Sequence, residues 1–214
     1  NGRSLTFLEL EQYVNKCCRF YEEIGVGFGE IVTISIPNSI CFIIFYLAGI
    51  RSGIKVNPCP SNLSENELIK NVNFVESKLL ITQQLIEANN LSANCSYFKF
   101  NDDNDFLLEL ESYGNSKYER EIGSDDVACI YYSSGTTGNS KCVLYSHKNM
   151  LSNIKSVVND FQFLSESIHL GVLPLGHTSI TNYQFLPSLF VGSTLILAEN
   201  FNSVRADIWK IPNN

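Results

Sequence analysis

Residues 127–145 read VACIYYSSGTTGNSKCVLY, and the order of residue types along them decides the fold class. Val127 to Tyr132 is an unbroken run of apolar and aromatic residues of strand length, which predicts a buried strand. The stretch from Ser133 to Lys141, SSGTTGNSK, interrupts it. Val143 to Tyr145 reads as a second strand, and a helix is expected from about Lys148 to Phe161. The interruption is chemically unusual. Gly135 and Gly138 allow the backbone to take positive φ and approach a ligand closely. Ser133, Ser134, Thr136 and Thr137 carry hydroxyls able to donate to phosphate oxygens. Successive loop amides can form an anion nest, and Lys141 adds a point charge suited to phosphate. The loop therefore reads as a cradle for a polyphosphate. A Walker A loop is excluded, because Ser140 and Cys142 stand where that pattern needs Gly and Ser/Thr. A serine-hydrolase elbow is excluded because no G-x-S-x-G occurs.

Working outward, strands and helices alternate. Thr6 to Glu9 forms a capping box with Leu5 and Leu10 placed as a hydrophobic staple. Apolar and small residues recur at helical spacing from Phe7 to Ile24, and Gly25 is the expected stop. Ile31 to Ile36 is a β-branched strand. Pro37, Asn38 and Ser39 turn into an apolar helix that ends by Gly53. A short extended piece follows at Lys55 to Pro58. A second capping box, Ser64 to Glu67, opens a helix to about Val75. Lys78 to Thr82 is the next strand, with a weaker helix expected after it. Residues 99–124 are polar and give only one short helix, near Phe106 to Leu110. Strand 169–173, helix 180–190 and strand 194–198 follow, and another helix is expected to start after Asn202 and Ser203. The alternation predicts an α/β fold: a mostly parallel sheet layered with helices.

Composition bounds the function. With 44% hydrophobic and 17% charged residues among 214, the chain is globular rather than disordered. A formal net charge of −7 argues against nonspecific nucleic-acid binding, which needs clustered Lys and Arg, but leaves room for a mononucleotide held by backbone amides and one lysine. The seven cysteines show no C-x-x-C spacing, and His147, His169 and His177 fall on separate elements. Neither a metal site nor a disulfide framework is expected, and the thiols point to a reducing compartment. The apolar run from Ile40 to Ile50 is too short to span a bilayer, so no transmembrane segment is expected.

The segment IYYSSGTTGNSKCVLYSHKN resembles the signature loop of the adenylate-forming superfamily, which contains acyl- and aryl-CoA ligases, luciferases and peptide-synthetase adenylation domains. The family form is Tyr-Ser-Ser-Gly-Thr-Thr-Gly-x-Pro-Lys-Gly-Val, followed by Thr-His-x-Asn. Here Ser140, Cys142 and Ser146 replace the proline, the glycine after the lysine and the threonine. Cys142 is the more serious departure, because a Cβ restricts the backbone. Ser4 to Gly53 is similar to the family's opening, and Lys55 to Glu67 to its passage with paired prolines. The stretch LPLGHTSITNYQFLPSLFVGSTLILAENF, residues 173–201, resembles its acyl-pocket motif, with Gly176 where an aromatic residue usually precedes the histidine. The branch containing coumarate ligases and luciferases looks most similar.

The resemblance implies ATP-dependent activation of a carboxylic acid to an acyl-adenylate, then a CoA thioester. ATP would be the nucleotide, with Mg2+ held mainly through its phosphates and coenzyme A as co-substrate. Residues 133–141 (Ser133, Ser134, Gly135, Thr136, Thr137, Gly138, Asn139, Ser140 and Lys141) would bind the phosphates. Thr136, Thr137 and Lys141 are the catalytic candidates, and His177 the acyl-pocket candidate. For His147 a structural reading, a cap or loop hydrogen bond, stands beside a functional one; His169 is expected to be structural, as are the aromatic residues around Tyr183 to Phe190. Residues 1–214 would form the N-terminal part of the AMP-binding domain, without the family's adenine and ribose region or its small C-terminal domain. Two alternatives remain open: a noncatalytic nucleotide- or partner-binding homologue, and an adenylation domain that passes its acyl group to a carrier protein.

Overall fold

The computed structural model describes residues 3–133 and 141–199. Helix α1 (Phe7–Glu23) starts at the predicted capping box: the Thr6 side chain accepts from the Glu9 amide, and Glu9 reaches back to the Thr6 backbone. The chain leaves this helix through Gly25, at φ +73°. Strand β1 (Ile31–Ser35) and helix α2 (Ile40–Arg51) follow. Ser39 caps α2, whose residues are buried almost all round. Strand β2 (Lys55–Pro58) leads to α3 (Glu65–Phe74), which begins at the second predicted capping box, Ser64 with Glu67. Strand β3 is Leu79–Thr82.

Several stretches differ from the sequence expectation. The helix expected after β3 is a three-residue 3-10 turn, Ala88–Asn90, followed by the unpredicted strand β4 (Ser96–Lys99). This strand is half exposed along its length and lies at the sheet edge, so it lacks the continuous apolar run of a central strand. The short helix near Phe106 is α4 (Asp103–Leu110), capped by Asp102.

The quoted stretch forms β5 (Val127–Ser133) and β6 (Lys141–Ser146). Helix α5 (His147–Asp160) opens on a third capping box, Ser146 with Asn149. Strand β7 (Ile168–Gly171) ends two residues short of its expected limit. The helix expected over 180–190 is three pieces: α6 (Thr178–Ile180), a π-helical turn (Thr181–Phe185) and α7 (Leu186–Val191). Gly192, at φ +78°, closes α7 before β8 (Thr194–Leu197). The helix expected after Ser203 lies outside the described residues.

The main sheet has the order β4-β3-β1-β2-β5-β6, parallel throughout except for the β5–β6 hairpin. Strands β7 and β8 form a separate parallel pair. One face of the main sheet buries Val32, Ile34, Val56, Leu79 and Ile81 in the larger core, which also holds the inner residues of α1, α2, α4, α5 and the 175–186 segment. The opposite face packs Leu80 against Leu68 and Val72 of α3. An aromatic cluster centred on Phe20, Phe45 and Phe106 fills the first core, with Phe45 and Phe106 stacked 4.2 Å apart. Among the described residues, no helix is long and apolar enough to cross a membrane.

Candidate functional site

Because β1 to β5 run parallel, Ser35, Pro58, Thr82, Lys99 and Ser133 end at one edge of the sheet. Ligands of open α/β sheets gather at this carboxyl edge. Ser133 pairs directly with Lys141 across the β5–β6 hairpin, so the two ends of the phosphate-loop candidate are neighbours there. Residues 134–140, which include Ser134, Gly135, Thr136, Thr137, Gly138, Asn139 and Ser140, lie outside the described residues. Lys141 is described, and its side chain is exposed.

Cys142 does not need to be glycine. It sits inside β6 opposite Tyr132, and it is not among the described residues at positive φ. A Cβ is at home on an extended strand, so the restriction expected from the sequence does not apply. Partial burial raises the Cys142 thiol pKa above its ordinary value, opposed by the Tyr132 hydroxyl.

The second candidate, His177, lies on the turn after β7. It is exposed and caps α6: its Nδ1 accepts from the Ser179 amide at 3.2 Å and lies 2.9 Å from the Ser179 hydroxyl. Two contacts that sequence reasoning missed fix this turn. The Asn38 amide, just after β1, donates to the Leu173 carbonyl at 2.8 Å and the Ala198 carbonyl at 3.0 Å. Its Oδ1 accepts from the Leu175 amide at 2.6 Å. Gly176 then presses on the chain leaving β2. A Cβ there would lie 2.3 Å from the Cys59 carbonyl carbon and oxygen and 2.6 Å from the Pro60 nitrogen. No aromatic side chain can start from that backbone, which accounts for the glycine in place of the usual aromatic. The turn is thus anchored to β1 and β2 at the edge where β5 delivers the loop.

The other histidines are elsewhere. Since β6 runs antiparallel to β5, its last residue, Ser146, pairs with Val127 at the opposite edge. Ser146 therefore stands roughly 17 Å along the strand from Lys141, at about 3.4 Å per residue, and His147 follows it at that far edge. Among the described residues the His147 Nε2 is buried without a hydrogen-bond partner, and burial lowers its pKa, opposed by the nearby Asp126. Ser146, not His147, caps α5. His169 stacks on Phe163 with ring centroids 4.0 Å apart. The expectation for the aromatic residues near 183–190 divides: Phe185 is fully buried, whereas Tyr183 and Phe190 are half exposed.

The model of one protein family, described as AMP-binding enzyme, matches residues 1–212. The chain belongs to the AMP-binding enzyme family. Its AMP-binding relatives include 4-coumarate–CoA ligase-like 6 of Arabidopsis thaliana, 28% identical over 94% of this chain and 38% of that protein. Peroxisomal OPC-8:0-CoA ligase 1 of the same plant is 29% identical over 94% of this chain and 39% of its own length. The chain thus spans about two fifths of these relatives. Among solved structures, ATP-bound MatB from Rhodopseudomonas palustris superposes with a TM-score of 0.86 at 21% identity, covering 98% of this chain and 43% of that one. A Mycobacterium tuberculosis fatty acyl CoA synthetase gives 0.84 at 20% identity, covering 96% and 41%. These two likenesses establish the mostly parallel layered fold that the sequence predicted.

Proposed function

We propose that the complete protein activates a carboxylic acid with ATP, forming an acyl-adenylate and pyrophosphate, and then passes the acyl group to coenzyme A. The observation that carries this reading is the convergence at one sheet edge. The strand ends that frame the Ser/Thr/Gly loop and the clamped turn bearing His177 lie at the carboxyl ends of the parallel strands. Membership of the AMP-binding family and likeness to CoA ligases support the reaction class.

The hairpin geometry suits a triphosphate. Pairing of Ser133 with Lys141 holds the ends of the loop together and leaves the lysine exposed beside it. In this reading the amides and hydroxyls of residues 133–140, with Lys141, hold the β- and γ-phosphates while the carboxylate attacks the α-phosphorus. Their contribution is positioning and charge stabilisation. Magnesium, bound with ATP, supplies further neutralisation of the phosphates. His177 borders the acyl site. Residues 1–214 then serve as the N-terminal part of a larger AMP-binding region. Of the departures at Ser140, Cys142 and Gly176, which give weight to a noncatalytic homologue, two have a structural reason: Cys142 occupies a strand position, and the Cys59–Pro60 backbone leaves no room for a Cβ at Gly176.

The test is ATP–pyrophosphate exchange by the complete protein with magnesium and a panel of fatty and aryl acids, followed by acyl-CoA formation. Exchange with at least one acid is expected. Lys141→Ala should slow single-turnover adenylate formation about 10- to 100-fold, since a charge-assisted contact is worth about 1.5–3 kcal/mol. An unchanged single-turnover rate would remove Lys141 from the site. Adenylate formation without acyl-CoA would point to a carrier protein as acceptor.

A further inference from the structure

Asn38 lies in the short link between Ser35, the last residue of β1, and Ile40, the first of α2. Its neighbours in the chain hold it in place. Pro37 has a fixed φ, and the Ser39 side chain caps α2 by accepting from the Phe42 amide. The three bonds of Asn38 reach beyond the turn itself. Leu173 lies just past β7 and Ala198 just past β8, and the Ala198 amide joins the two strand ends by donating to the Gly171 carbonyl at 2.9 Å. One side chain therefore ties the ends of both strands of the second sheet, and the Leu175 amide, to the β1–α2 junction of the main sheet.

The partners dictate the residue type. Two are carbonyls, which only accept, and the third is an N–H, which only donates. The position needs two donors and an acceptor on one short side chain. Asparagine supplies them, an ionised aspartate only accepts, and leucine does neither. The same strand end also holds the opposite wall of the turn. The Ser35 hydroxyl donates to the Pro60 carbonyl at 3.1 Å, and Gly176 presses on the Cys59–Pro60 backbone. Within the turn, the Pro174 carbonyl accepts from the His177 amide at 2.9 Å and the Leu175 carbonyl from the buried Thr181 hydroxyl at 3.1 Å. The turn is thus braced internally, and its place on the main sheet is set from β1. Strand β5, which delivers the phosphate loop, is paired instead with β2 and β6.

We propose that Asn38 is a positioning residue for the acid: by clamping the His177 turn and both strands of the second sheet onto β1, it sets the acyl site, while the ATP phosphates are placed separately through β5. The roles of the two sites rest on the function proposed above; the clamp rests on the three hydrogen bonds.

The test uses the complete protein in pyrophosphate exchange with octanoate and 4-coumarate. Asn38→Ala removes all three bonds. Asn38→Asp keeps the acceptor, but its donor depends on pH: ionised, it turns an oxygen on two carbonyls, and protonated, its hydroxyl donates to one of them. At a pH of about 8 both variants should raise KM for the better acid at least about fivefold, with KM for ATP within about twofold. Taken relative to the wild type at each pH, the acid KM of Asn38→Asp should recover at least about threefold as pH falls from about 8 to about 5.5, since facing carbonyls favours the neutral carboxyl. The ratio for Asn38→Ala should not change. Equal changes in the two KM values, no change in either, or a pH-independent Asn38→Asp ratio would overturn the proposal. Hydrogen exchange gives a readout without turnover. The Leu175 amide should exchange faster in Asn38→Ala and keep its protection in Asn38→Asp, with β3 amides unaltered in both. Equal acceleration in both variants, or none in either, would overturn the clamp. Should Asn38→Ala fail to fold, the pH comparison on Asn38→Asp decides. If no acid supports exchange by the wild type, the proposed function fails and this role fails with it; an active wild type whose variants behave otherwise than stated overturns the role of Asn38 alone.

Discussion

Replacing Gly176 by alanine should be among the most disruptive single-methyl additions in this protein. The new Cβ would lie 2.3 Å from both the carbon and the oxygen of the Cys59 carbonyl and 2.6 Å from the Pro60 nitrogen. Ordinary carbon contacts are about 3.5–4.0 Å, so one side must retreat by more than about 1 Å. Neither side is loose. The Cys59 amide is bonded to the Ile34 carbonyl at 2.9 Å, and the Pro60 carbonyl accepts from the Ser35 hydroxyl at 3.1 Å. The turn itself is held by the Asn38 amide. Overpacking costs about 1–3 kcal/mol, and a clash between two fixed backbones belongs at the top of that range. For a protein of this size each kcal/mol moves the unfolding midpoint by about 2–4 °C, so Tm should fall by about 6–12 °C. Gly27→Ala is the control, because among the described residues its Cβ would meet only the Arg120 Nη1 at 4.0 Å. Thermal unfolding followed by circular dichroism measures both. A Gly176→Ala protein melting within about 2 °C of the wild type would refute the reasoning that the turn needs glycine.

Asn38→Ala should cost about 1–3 kcal/mol in urea unfolding, because it leaves the Leu175 amide without its acceptor beside a buried residue; a loss below about 0.5 kcal/mol would show that the clamp is dispensable. Cys142→Gly, which restores the usual family residue, should lower stability by about 1 kcal/mol through added strand flexibility, and a gain in the same unfolding experiment would contradict the strand placement. Glu11 accepts both Arg51 nitrogens, at 2.7 and 2.8 Å, and the Arg51 hydrogen bond holds its pKa below the ordinary 4.5. A depressed carboxyl pKa contributes stability above the unfolded value and loses it as pH falls through the folded value. Glu11→Gln should therefore cost at most about 1 kcal/mol at neutral pH, given the pair's partial exposure, and the difference should vanish in strong acid. A pH-independent difference in denaturation would rule out the ion pair as its source.

Local chemistry fixed the starts of the elements. The boxes at Thr6 with Glu9 and Ser64 with Glu67 act within a single helical turn, so they are readable from four residues and form as read. The third box escaped because Asn149 stands where Glu or Gln is usual. The runs at Ile31, Leu79 and Val127 become strands because their residues suit a sheet buried on both faces. The edge strand β4 carries no such run and stayed invisible. The loop's residue types were equally legible and pointed to the family that the chain joins. Tertiary structure alone decided which elements meet. Asn38 reaches the Leu173 carbonyl across 135 positions, and Tyr46 meets Tyr131 across 85. Gly176 is a steric necessity only because the chain leaving β2 passes beside it. No local pattern encodes these contacts. They arise when parallel strands, joined by crossovers, bring distant segments to one edge, and packing selects the residues that fit there.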